Sequence, residues 1–214
     1  MNEVKLVDAA EFGERYPDRP AKIAISIKSP LLERRRLIAL GKSLQPHLLE
    51  YNSGEVPIST SPDAIPPSGR SFEETVLEIG ERNSWVNLRN LEWDPEYKTF
   101  TDECVAPIAD LVTAKTGPII QRENFLFISS AGAVTPAHID EEHSVLFQVE
   151  GEKVVTIYSQ SDREIVPQEK LEEFHSGGHR NVIIKPEQEK RGQAFRLKPG
   201  EALYIPPLAP HWVK

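Results

Sequence analysis

Beyond Gly117 the chain is cut into six short apolar runs, and no other feature limits its fold so closely. The runs are Ile119 to Ser130, Ser144 to Glu150, Lys153 to Tyr158, Asn181 to Ile184, Ala194 to Leu197 and Ala202 to Ile205. Turn-formers separate them: Glu150-Gly151-Glu152, Ser176-Gly177-Gly178 and Pro199-Gly200. Many short strands broken by Gly and Pro predict a β-sandwich or barrel.

The first 116 residues have a different texture. Lys22 to Lys28 alternates apolar and polar residues and predicts a strand. Ser29-Pro30 then opens a helix running to about Leu44, with Ser as N-cap and Pro in the first turn. From Asn52 to Arg70 the chain is dense in Pro, Ser and Gly, which predicts a loop or an ordered surface arm. Ser71 and Glu74 form a capping box that starts a helix towards Arg82. Trp85 to Leu91 alternates and predicts a strand. Pro95 to about Lys115 carries Phe100, Cys104, Ile108, Leu111 and Val112 at helical intervals, with Pro107 set to kink or split that helix. The 18 prolines fall mainly at the joints between such elements. The expected organisation is therefore a mixed α/β and loop region over 1–116 packing on a barrel over 117–214.

Composition excludes several classes of function. With 33 acidic against 25 basic side chains the formal charge is −8, against a nucleic-acid binder with its basic face. A single cysteine, Cys104, excludes a disulfide framework and a thiolate zinc site, and fits a reducing, cytoplasmic compartment. No run approaches the roughly 20 apolar residues of a membrane helix, and the N-terminal MNEVKLVDAAEF is too acidic for a signal peptide.

The stretch with most chemical content is Thr135-Pro136-Ala137-His138-Ile139-Asp140. Residues two apart in a strand face one side, so an imidazole and a carboxylate project together. His211 offers a third arm after the turn and strand PGEALYIP. Two His and one carboxylate on one face leave coordination positions open, the pattern of non-haem Fe(II) oxygenases. A catalytic zinc site can use the same donors. Each part alone is weak: an HxD pair is usually a surface pair, and His211 could simply be a partly buried histidine after a turn. Lys153 opens KVVTIY and shares a face with Val155 and Ile157. Inside a barrel it would need an anion, whereas at an exposed strand start it would need none, and the residues alone favour the exposed start. Among the remaining histidines, His143 reads as a surface residue, and His175 and His179 as parts of a mobile loop around Gly177-Gly178.

The run FLFISSAGAVTPAHIDEEHSVLFQVEGEKVVTIY, together with Phe195 to Val213, resembles the JmjC-type, cupin-like Fe(II)/2-oxoglutarate oxygenases. Within that family it is similar to the asparaginyl hydroxylase that inhibits hypoxia-inducible factor and to bacterial cupin-like proteins. The resemblance implies a double-stranded β-helix, or jelly-roll, barrel that is mainly β with an N-terminal α/β decoration. It implies Fe(II) held by His138, Asp140 and His211, with 2-oxoglutarate as co-substrate and O2 as oxidant. Lys153 matches the lysine that pairs with the distal carboxylate of 2-oxoglutarate, which reverses the exposed reading, and Thr135 matches the hydroxyl beside it. Ser144 stands where the asparaginyl hydroxylase has a co-substrate asparagine, and Asn87 falls near the position of its co-substrate tyrosine. The acceptor is a protein side chain or a small molecule, and a homodimer is a family-level expectation. Family members continue through a further strand after the last histidine, so 117–214 is expected to lack the final strand of the barrel. That departure leaves an alternative open: a cupin-like metal- or ligand-binding or regulatory module without turnover. A zinc hydrolase or isomerase fits less well, since ordinary cupins offer HxH and a later Glu.

Overall fold

A computed structural model describes residues 1–214, leaving aside the side chain of Pro62. In chain order the first elements are β1 (Glu3–Asp8), α1 (Ala10–Arg15), β2 (Ala21–Lys28), α2 (Arg34–Ser43), β3 (Leu49–Ser53), α3 (Phe72–Leu77), β4 (Ser84–Leu88) and α4 (Pro95–Thr116). Then follow β5 (Leu126–Ser129), β6 (Thr135–His138), β7 (Ser144–Gln148), β8 (Lys153–Ile157), α5 (Gln168–His175), β9 (Gln193–Leu197), β10 (Glu201–Ile205) and β11 (His211–Val213). Among the described residues no helix is long and apolar enough to cross a membrane.

The chain forms two compact units, each assembled from separate segments. The first comprises Met1–Asp8, Ile25–Glu55 and Pro66–Ala133. In it β3, β4 and β5 form an antiparallel sheet in that order, pairing Tyr51 with Val86 and Val86 with Ile128. The expected helix from Ser29 breaks at Glu33, whose extended backbone separates a 3-10 turn, Pro30–Leu32, from α2. The capping box forms as expected: Ser71 N–H donates to Glu74 Oε2 at 3.0 Å and Glu74 N–H to Ser71 Oγ at 3.3 Å. α3 nevertheless ends at Leu77, short of Arg82. Gly41 in α2 abuts the Phe72 ring so closely that any Cβ there would overlap it. α4 runs as one helix through Pro107 instead of splitting. Its buried stripe of Tyr97, Phe100, Thr101, Cys104 and Ile108 stays on one side across the proline, so packing offsets the lost N–H bond.

The second unit comprises Ala9–Ala24, Val56–Ile65 and Val134–Lys214. It holds two antiparallel sheets: β10 lies between β2 and β7, while the other sheet has the order β6-β11-β8-β9. Leu203 and Ile205 of the first sheet pack with Val155, Ile157, Phe195 and Leu197 of the second in one buried cluster. Two antiparallel sheets closed face to face over an apolar interior make a jelly-roll. On the outer side of β6, Ala137 and Ile139 pack with Tyr158, Val166, Leu171, Val182 and Ile184. The expected strand at Asn181 to Ile184 is instead a strap that bridges β6 only at His138 and Asn181. The run from Ile119 shortens to β5, because 119–125 carries no regular structure. α5, Gln168–His175, has no counterpart among the expected elements.

Candidate metal centre

Alternation along β6 decides where its polar groups go. Ala137 and Ile139 are fully buried on the outer side, so His138 and Asp140 turn to the opposite one. His211 of β11 lies directly across from His138, and Ile157 of β8 lies across from His211. Opposed residues of an antiparallel pair share a face, so both imidazoles stand on the side that carries Ile157 and Val155. Within this frame the three side chains meet: Asp140 Oδ2 lies 3.6 Å from His138 Nε2 and 3.5 Å from His211 Nε2. The two rings sit 4.2 Å apart at 54°. One donor atom from each residue falls within 4.8 Å of the others, the only such His/Cys/Asp/Glu group among the described residues.

Each ring is oriented through its other nitrogen. His138 Nδ1 lies 2.8 Å from the Pro136 carbonyl and His211 Nδ1 lies 2.9 Å from that of Ala209. A carbonyl only accepts, so each Nδ1 carries the proton and each Nε2 presents a lone pair towards Asp140. Burial pushes the pKa of both imidazoles below the usual value; for His138 the neighbouring His211 adds to the effect. Both rings are therefore neutral at pH 7. Burial alone would raise the Asp140 pKa, yet the charges around it lower it, and with neutral imidazoles the standing cation is Arg180. Arg180 Nη1 donates to Asp140 Oδ1 at 3.0 Å. The Asp140 carbonyl also accepts from Leu208 N–H at 2.7 Å, and Leu208 holds a left-handed backbone with φ 59° in the turn before β11. Two neutral nitrogens and one ionised oxygen on one side make a donor set suited to a divalent transition metal.

The other sequence-predicted residues separate by position. Lys153 stands on the face of Val155 and Ile157, opposite fully buried Leu197 of β9, hence on the imidazole side of the sheet. It is half-buried, and burial lowers its pKa to about 8. Thr135 lies across from Val213, and the register shifts between His211 and Val213, which brings Thr135 and His138 onto one side although they are three apart. Ser144 opens β7 opposite Ile205, so it points to the inner face of the other sheet. Asn87 belongs to the first unit, next to the last residue of β4, where it is buried and its Oδ1 has no hydrogen-bond partner. His143 is tied by Nδ1 to the Tyr204 hydroxyl at 2.7 Å, on the side of β10 away from Leu203. His175 lies 3.6 Å from Glu141, and His179 Nδ1 accepts from Asn181 N–H. Arg180 carried no signal in the sequence, because its partner lies 40 residues away and the strap that presents it has no pattern of its own.

Residues 69–214 match the family model of the cupin-like domain. Among curated proteins none matches the sequence. Among solved structures the chain is similar to YcfD of Escherichia coli, with a TM-score of 0.60, 17% identity and 99% of this chain covered against 50% of that one. The ribosomal oxygenase YcfD of Escherichia coli in complex with cobalt and 2-oxoglutarate matches with a TM-score of 0.58 at 16% identity, over 99% and 49% of the two chains. The same enzyme with cobalt and succinic acid gives 0.54 at 16% identity. Likeness at this identity concerns the fold, and the chain spans about half the length of the solved chains it matches.

Proposed function

This chain belongs to the cupin-like domain family, and from that premise we propose that it is an Fe(II)- and 2-oxoglutarate-dependent oxygenase. The observation that carries the reading is the one-sided cluster of His138, Asp140 and His211 inside the jelly-roll, with Lys153 on the same face of its sheet. Similar solved chains bind cobalt with 2-oxoglutarate or succinic acid, which supports the same ligands here.

In this reading His138 Nε2, His211 Nε2 and Asp140 Oδ2 hold the metal. When bound, Fe(II) with 2-oxoglutarate supplies O2-dependent oxidation of an acceptor C–H bond, with succinate and CO2 as co-products. The chain's own part is to orient, to pair charge and to keep water out. The Pro136 and Ala209 carbonyls fix the protons on Nδ1, so no proton must leave Nε2 before a metal is taken up. Lys153, still protonated at pH 7, offers an ammonium to the distal carboxylate of the co-substrate. Thr135 supplies a hydroxyl to the same carboxylate, while Ser144 is proposed as a further co-substrate contact. Val155, Ile157, Phe195, Leu197, Leu203 and Ile205 give the interior an apolar wall that strengthens each charge pairing. The acceptor is a protein side chain or a small molecule.

The test is anaerobic titration of the protein with Fe(II) and then 2-oxoglutarate, followed by succinate measurement after air is admitted. Micromolar 2-oxoglutarate binding that requires the metal, followed by succinate release, is the expected result. Failure to bind 2-oxoglutarate in the presence of Fe(II) would refute the oxygenase reading.

A further inference from the structure

Asp140 uses its two oxygens differently. Oδ2 faces both imidazoles, at 3.6 and 3.5 Å, while Oδ1 accepts a hydrogen bond from Arg180 at 3.0 Å. The guanidinium is not there by a chance side-chain excursion, because its backbone is pinned to β6. Ile139 N–H donates to the Arg180 carbonyl at 3.0 Å, and Val182 N–H donates to the Ala137 carbonyl at 2.9 Å, one bond on each side of Asn181. Asn181 Nδ2 holds Thr60 O at 2.9 Å, Ile184 N–H holds Ser59 Oγ at 2.9 Å, and Val182 and Ile184 are buried beside Ile139. The strap thus fixes the Cα of Arg180 next to the strand that carries His138, and the side chain then reaches the aspartate two residues further on.

We infer that Arg180 is a positioning residue for the metal centre: by occupying Oδ1 it makes Asp140 a one-oxygen ligand and leaves the remaining coordination positions free. An unrestrained carboxylate can rotate and offer both oxygens to a cation, as carboxylate ligands often do. Such a swing would use a position that the co-substrate needs. A guanidinium N–H on one oxygen opposes that rotation with a charge-assisted bond, and it does so from outside the donor set. The inference rests on the metal reading above and adds a residue to it.

The experiment compares wild type with Arg180→Met, Arg180→Lys and Asp140→Ala, using Mn(II) as probe. Titration calorimetry gives the Mn(II) affinity, and the melting temperature of each metal-free protein reports on the fold. Arg180→Met is expected to weaken Mn(II) binding about 10- to 100-fold, the usual range for groups that orient a ligand. Arg180→Lys should recover part of that loss, and both metal-free variants should melt within about 2 °C of wild type, since the guanidinium is about half-exposed. Binding of 2-oxoglutarate to the Mn(II)-loaded Arg180→Met protein should weaken at least tenfold. Mn(II) and 2-oxoglutarate affinities equal to wild type in Arg180→Met, with binding abolished in Asp140→Ala, would overturn the role of Arg180 alone. A matching fall in the melting temperature of the metal-free Arg180→Lys protein would make Arg180 a structural residue and overturn it too. Wild type that binds no Mn(II), or Asp140→Ala that binds it equally well, overturns the metal reading itself.

Discussion

Lys153→Met separates what the lysine costs the fold from what it does for a ligand. Burial lowers its pKa from 10.5 to about 8. At 1.36 kcal/mol per pH unit, that is roughly 3 kcal/mol of disfavour for the charged form in the folded state. Methionine keeps the stem and removes the charge, but it must repack, so a gain of about 1–2 kcal/mol is expected for the metal-free protein at pH 7. For a chain of this size that raises the melting temperature by roughly 2–8 °C. The sign follows from proton counts. Between about pH 8 and 10.5 the unfolded chain holds a proton that the folded lysine has released, so wild-type stability rises with pH across that window. The advantage of methionine should therefore be full below about pH 8 and gone by about pH 10.5. Urea denaturation at pH 7 and pH 10 measures both points, and calorimetry on the Mn(II)-loaded variant should show 2-oxoglutarate affinity reduced at least tenfold. A variant less stable than wild type at pH 7, or a stability gap unchanged at pH 10, would show that burial of charge is not what sets the lysine's environment.

Two further outcomes follow from the packing and the donor set. Mn(II) at 100 times its dissociation constant should stabilise wild type by about 2.7 kcal/mol. That raises the melting temperature by roughly 5–10 °C, and His211→Ala should show no such rise; an equal rise would remove His211 from the ligand set. Gly41→Ala gains about 1 kcal/mol of helix propensity but drives a methyl into the Phe72 ring. Overpacking costs about 1–3 kcal/mol, so a net loss in urea denaturation is expected, and unchanged stability would mean that α2 and α3 yield easily.

The strands with a turn on either side were legible in the sequence. β8 and β10 lie within a residue of their expected runs, because Gly151 and Gly200 take left-handed backbones, with φ of 71° and 91°, where the turns were expected. The HxD pair was legible because alternation is local: Ala137 and Ile139 are apolar, while His138 and Asp140 are not. What the sequence hid depends on partners far along the chain. The strap at Asn181 to Ile184 has a strand's composition, yet it divides its hydrogen bonds between β6 and the segment at Ser59 and Thr60. Pro107 has a local signature for breaking a helix, and the buried stripe of α4 overrides it. Lys153 looked like an exposed strand start because exposure is set by what lies across it, here Leu197, and not by the Glu150-Gly151-Glu152 turn beside it.

The place of β11 has a consequence for how the protein is made. His211, the third proposed ligand, follows His138 by 73 residues, on a strand that inserts between β6 and β8 instead of adding to an edge. While a ribosome is still translating the segment before β11, the emerging chain carries one imidazole and one carboxylate beside an open slot. On the proposed ligand set, the metal site is incomplete until β11 has taken its place. Cation loading would then report that β11 is in place, and a chain lacking β11 would offer a cation only two of the three proposed ligands.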